Sequence, residues 1–200
     1  MFDVHSPTLD SEQWNSWLGV ISSSNTAPDI YSWHQIDIRE REPDATIPDF
    51  NALLTTYGLP HRPIDVNEYA ASGEQNPTNA VFFISQLERH NCCGLRANWG
   101  GGLDYYLANL VYKTDDDQEY YPNGEWYVYE YYVNMTEDRL LTAASPDLQF
   151  DMFATMSGGE VKIFAGTRTV QEASDVTVLF MSSRALGYQE QVSVQVLRYD

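Results

Sequence analysis

Positive charge is scarce in this sequence. Its 200 residues carry 11 lysines and arginines against 29 aspartates and glutamates, a formal net charge of −18 with the histidines neutral. Lys113 and Lys162 are the sole lysines. The deficit is uniform, because residues 1–100 hold 5 basic and 13 acidic side chains and residues 101–200 hold 6 and 16. No basic patch survives that count, so a phosphate backbone is repelled and nucleic-acid binding is not expected. Apolar runs are short as well. None reaches eighteen residues, which gives no expectation of a membrane span. Met1-Phe2-Asp3-Val4-His5 has no cationic stretch leading into an apolar one, so no secretory signal is read there.

Cysteine is nearly absent. Cys92 and Cys93 stand alone and adjacent, a spacing that makes a bridge between them geometrically awkward. With no second pair, neither a disulfide scaffold nor a zinc site of the usual spacing is expected, and the two read as free or buried thiols. Asp115-Asp116-Asp117 lacks the glycine and terminal glutamate of a calcium loop, so it reads as a solvated acidic turn. No metal or cofactor is expected.

What is present suits a folded chain: 43% hydrophobic and 20% charged residues lie far from the composition of disorder. At about 150 residues per domain, the length fits one domain and part of a second. The first half alternates helix and strand signals. Asp10 or Ser11 caps a helix carrying Trp14, Trp17, Leu18 and Ile21. Residues 30–34 follow as a buried strand, and residues 37–44 as a charged loop. Pro48 sits at the expected first turn of a second helix carrying Phe50, Leu53, Leu54 and Tyr57, closed by Gly58. A second strand occupies residues 63–69. Asn76-Pro77 opens a third helix with Ala80, Phe83, Ile84 and Leu87 inward, and residues 94–99 form a third strand. This order predicts parallel strands joined by crossover helices.

Residues 126–135 read as strand or helix; helix is chosen, with Trp126, Tyr129 and Val133 on one face. Asn134-Met135-Thr136 is a glycosylation sequon of low specificity. Beyond Arg139 the pattern alternates. Residues 148–154 and 161–165 flank Ser157-Gly158-Gly159 as a hairpin, and residues 176–181 and 192–197 add two further alternating segments.

The strand exits carry the chemistry. The first ends in Trp33 and His34, the second in Asn67, Glu68 and Tyr69, and the third in Asn98 and Trp99. A carboxylate, an imidazole and indoles around one opening suit sugars, whose C–H faces stack on tryptophan and whose hydroxyls need polar partners. Residues 31–34, 66–69 and 95–99 resemble strands six, seven and eight of a clan A retaining glycoside hydrolase, similar to the fungal family 39 type.

That resemblance implies the C-terminal part of a (β/α)8 TIM barrel over residues 1–137, followed by an antiparallel β-sandwich-like domain over residues 138–200, an α/β plus β chain. It implies that Glu68 is the catalytic nucleophile of a double displacement at an O-glycosyl bond. Trp99 would floor the sugar subsite, and His34, Asn67, Tyr69 and Trp33 would complete the substrate-binding set. Residues 2–7 would be the tail of strand five or its loop. The family's acid/base glutamate, in an Asn-Glu pair ending a fourth strand, has no counterpart here, so the chain is expected to be inactive alone. Glu40 and Glu42 are the local alternatives for that acid; a self-paired charged loop is the plainer reading of them. The expected partner is a carbohydrate, with self-association through exposed barrel edges. The acidic excess fits an exported parent enzyme. The competing readings are a non-catalytic carbohydrate-binding protein, using Trp33, Trp99 and the tyrosines of 120–132, and a structural remnant.

Overall fold

In the computed structural model of the chain, the described residues are 11–36, 42–71, 74, 76–97, 110–112 and 119–168. Segments 2–7, 115–117, 176–181 and 192–197, with Glu40, Asn98 and Trp99, lie outside them.

Local rules build the first layer. Helix α1, Glu12–Ser24, starts where Ser11 Oγ accepts the Trp14 amide at 3.3 Å. It ends where Asn25 takes the left-handed conformation that closes a helix. Strand β1, Tyr31–Gln35, alternates faces, sending Tyr31, Trp33 and Gln35 inward. Helix α2 spans Pro43–Thr56. Pro43 rather than Pro48 takes the first helical turn, and Pro48 sits inside the helix without an amide to donate. Strand β2, Ile64–Tyr69, follows. Asn76 caps helix α3, Pro77–Arg89, its side-chain oxygen accepting the Asn79 amide at 3.0 Å. Strand β3, Cys93–Arg96, completes a parallel sheet in the order β1-β2-β3.

Helices cover one face of that sheet. Trp14, Leu18, Trp33, Phe50, Leu54, Val66, Phe82 and Phe83 belong to one core there. Its aromatic rings meet edge to face, Trp14 with Trp33 at 5.9 Å and Tyr31 with Phe50 at 5.0 Å between centroids, a favoured geometry. The opposite face carries Ser32, His34 and Glu68, with Cys93 and Leu95 exposed on β3.

Two short strands, β4 (Val111–Tyr112) and β5 (Tyr121–Pro122), pair antiparallel. Helix α4, Gly124–Val133, is capped by Asn123. It is helical as expected, but the face reading fails: Glu125 and Val128 are its buried residues, while Trp126 and Val133 are exposed. Its aromatic residues pack from the side, Tyr131 stacking on Phe164 at 5.7 Å. Asn134 is the exposed C-cap, donating through Nδ2 to the Glu130 carbonyl at 2.7 Å.

Strands β6 (Asp138–Arg139), β7 (Phe150–Ser157) and β8 (Glu160–Thr167) form an antiparallel sheet. The β7–β8 hairpin turns on Gly158 and Gly159, both at positive φ, the two-residue loop that matches strand twist.

The architecture corrects the expected barrel part with a sandwich behind it. Among the described residues the parallel sheet has three strands and does not close, and the antiparallel sheet β6-β7-β8 also has three. No second sheet faces β6-β7-β8 among the described residues. Its inner face, with Phe153 and Phe164, meets Ala80, Val81 and Ile84 of α3, and Val128 and Met135 complete that core, which so draws on residues before and after position 137. Helix α3 is thus the middle of three layers. Phe82, Phe83 and Leu87 serve the parallel sheet, and every residue from Asn79 to Leu87 is buried.

Close approach makes this packing possible. A Cβ on Gly166 would lie 2.2 Å from the Thr78 carbonyl oxygen and 2.7 Å from Val81 Cβ. Gly166→Ala is therefore expected to cost about 1–3 kcal/mol by overpacking, read as a lower urea midpoint. Gly19→Ala in α1 meets only Tyr57 at an ordinary 3.7 Å and is expected to raise the unfolding free energy by about 0.5–1 kcal/mol, read as a higher urea midpoint.

Candidate functional site at the exits of the parallel strands

The site begins with a mismatch in register. Trp33 lies opposite Val66, but the next residue, His34, lies opposite Glu68. The β2–β3 ladder skips over the same stretch, from Val66–Gly94 to Tyr69–Arg96. Asn67 is the extra residue of a β-bulge. Strict alternation from Ile64 and Val66 would turn Glu68 inward under the helices. The bulge resets the phase, so Tyr69 takes the buried position and Glu68 emerges on the face opposite the helices. Ala70, at φ +69° and buried, then turns the chain away.

Glu68 meets His34 there. The carboxylate Oε2 lies 2.9 Å from His34 Nδ1, with the side chains 34% and 30% exposed. One carboxylate oxygen is thereby oriented, leaving the other oxygen and the imidazole Nε2 for a ligand. Beside them, the Asn67 Oδ1 atom is buried without a hydrogen-bond partner among the described residues. In open α/β sheets, ligands bind beyond the carboxyl ends of the strands, where these three residues stand.

The other expected members fall elsewhere. Trp33 is 2% exposed and packed in the helix-side core, its Nε1 donating to Gln35 Oε1 at 3.1 Å. It offers no face to a sugar, because its strand position is of inward parity. Tyr69 is buried as well, its ring 4.8 Å from that of Phe83. Trp99 lies outside the described residues. Glu42 is no surface acid: it is buried against Arg168, whose Nε also binds Glu74 at 2.7 Å. Thr46, one turn into α2, donates to Gln35 Oε1 at 3.2 Å and latches α2 beneath the exit of β1.

A second constellation has no counterpart in the sequence reading. Glu125, in the first turn of α4, is 0% exposed. Arg96 Nη1, at the end of β3, lies 3.2 Å from its Oε1, and neither Glu125 oxygen has a hydrogen-bond partner among the described residues. Burial pushes the Glu125 carboxyl up to about 7, with Arg96 pulling the other way. Tyr69 is hydrogen-bonded to Tyr129, and burial raises the phenol pKa of both. An acidic residue in a first helical turn ordinarily reads as a solvated partner of the helix dipole, so nothing local flags Glu125 as buried.

A third group is structural in placement. Arg89 bridges Asp44 and the buried Asp151, and His90 Nε2 lies 2.7 Å from Asp44 Oδ1. Burial opposes ionisation of Asp44, but hydrogen bonds from His90 and Arg89 hold its pKa below the ordinary value. Cys93 is exposed, while burial pushes the Cys92 thiol up to about 11. Among the described residues there is no cluster of three or more metal-ligating side chains, and no helix is long and apolar enough to cross a membrane.

No family model and no curated protein matches this sequence. Among solved structures, N2152 from Neocallimastix frontalis is similar, with a TM-score of 0.56 at 21% identity over 76% of this chain and 41% of that one. The chain therefore spans less than half the length of the structure it matches. Identity at that level carries the fold alone, a mixed α/β arrangement that in the described residues comprises one parallel and one antiparallel three-stranded sheet, the β4–β5 pair and four helices.

Proposed function

We propose that residues 34, 67 and 68 form the carbohydrate-directed part of a retaining glycoside-hydrolase site, with Glu68 as nucleophile. The observation that carries this reading is the Glu68–His34 pair, partly exposed at 2.9 Å on the exits of neighbouring parallel strands. In the reaction, a Glu68 carboxylate oxygen attacks the anomeric carbon and an ester forms. The leaving oxygen departs with the bonding electron pair. His34 orients the carboxylate, and Asn67 is the bulge residue that turns Glu68 toward it.

Retaining hydrolysis also needs a second carboxyl about 5–5.5 Å away to protonate the leaving group. Glu42, the nearby alternative, is buried under Arg168 and does not fill that role. The chain alone is thus proposed to form the ester only when the leaving group needs no proton.

Dinitrophenyl 2-deoxy-2-fluoro glycosides of several sugars test this directly. A single adduct by intact mass, mapped to Glu68 and lost in Glu68→Gln, is the expected result. No adduct with glucose, xylose, galactose or mannose donors would overturn the nucleophile assignment. The second reading, a non-catalytic carbohydrate-binding surface, is favoured by Tyr120, Trp126 and Tyr127, exposed around the start of α4. Oligosaccharide binding that survives Glu68→Gln but is lost in Trp126→Ala would select it.

A further inference from the structure

The buried cluster around Glu125 takes no part in that chemistry, yet it grips the residue next to Glu68. Tyr69 is held from three directions. Its hydroxyl is bonded to Tyr129, one helical turn beyond Glu125 on α4. Its main-chain carbonyl accepts the Ala97 amide at 2.7 Å. Arg96, the register partner of Tyr69 on β3, lies 3.2 Å from Glu125. Successive strand side chains take opposite faces, so the inward setting of Tyr69 fixes the outward setting of Glu68 across the bulge.

We propose that Glu125 is a positioning residue for Glu68, acting through Arg96 and Tyr69 to hold the bulged exit of β2 that sets Glu68 against His34. The functional consequence rests on reading Glu68 as the reactive carboxylate; the mechanical link does not. Among the described residues, the charged and titratable groups facing Glu125 are Arg96 from β3, Tyr69 from β2 and Tyr129 from α4 itself. When Glu125 ionises, it attracts Arg96 and opposes ionisation of both phenols. The grip on Tyr69 changes with it.

The test uses the full chain carrying 13C-carboxyl glutamate and ring-labelled tyrosine and histidine, followed by NMR from pH 5 to 8. The Glu68 carboxyl resonance is expected to show an inflection that coincides with the titration of Glu125 and disappears in Glu125→Gln. Tyr129→Phe keeps the volume and removes the hydroxyl; it should leave the Glu125 titration in place and at least halve its echo at Glu68. In parallel, the rate of Glu68 labelling by the fluoroglycoside should change at least fivefold across the Glu125 inflection and become flat in Glu125→Gln. A Glu68 resonance that ignores the Glu125 titration overturns the inference, whether or not labelling proceeds. Absence of labelling with the NMR link intact sinks the glycosidase reading and leaves the positioning role standing.

Discussion

Arg168→Met is expected to destabilise the chain by about 3–5 kcal/mol, the cost of removing one partner from a buried ionic group. Arg168 is buried just past β8. It binds Glu42 at the start of α2 and Glu74 ahead of α3, both also buried. Its guanidinium carbon further lies 6.0 and 5.5 Å from the ring centroids of Phe82 and Phe83. Methionine keeps contact with those rings but leaves two carboxylates without their cation. At a slope of about 1–3 kcal/mol per molar urea, the midpoint should fall by about 1 M or more. The triple variant Glu42→Gln, Glu74→Gln, Arg168→Met removes all three charges and should recover more than half of the loss. Equal stability of wild type and Arg168→Met would show that the triad does not tie the antiparallel sheet to the helical layer.

Stability is also expected to fall as pH rises through neutrality, by about 3 kcal/mol from Glu125 alone. The sign follows from the direction of the shift. Burial raises the folded-state pKa to about 7 from the ordinary 4.5, so the folded chain holds this proton more tightly than the unfolded one. The contribution is complete below about pH 4.5 and is lost progressively as pH climbs through 7. Glu125→Gln mimics the protonated form and isolates the effect. Unfolding free energies from urea melts at pH 4.5, 5.5, 6.5 and 7.5 should leave the variant progressively more stable than wild type. A difference that stays flat over that range would mean that Glu125 titrates as an ordinary carboxyl.

Much of the fold was legible because it is local. Ser11 and Asn76 cap helices through their own side chains, and Gly158-Gly159 supplies the positive φ that a tight hairpin needs. The helix–strand rhythm also placed His34 and Glu68 on adjacent parallel strands. The barrel and the sandwich were not legible. Whether three parallel strands close into something larger, or what faces an antiparallel sheet, depends on partners that periodicity does not name. Helix α3 shows why: Ala80, Phe83, Ile84 and Leu87 read as one inward stripe, yet Phe83 and Leu87 serve the parallel sheet and Ala80 and Ile84 the antiparallel one.

The site divides the same way. Trp33 and Tyr69 suit a sugar by residue type, but parity on the strand buries both. The bulge at Asn67 is invisible along the chain, since it exists only as a slip between β2 and its two neighbours. Sequence alone determined the caps, the turns, the parallel order and the acidic charge, all set by residues a few positions apart. Tertiary structure alone decided which way Glu68 points and that Glu125 is buried, because both follow from contacts between segments far apart in the chain.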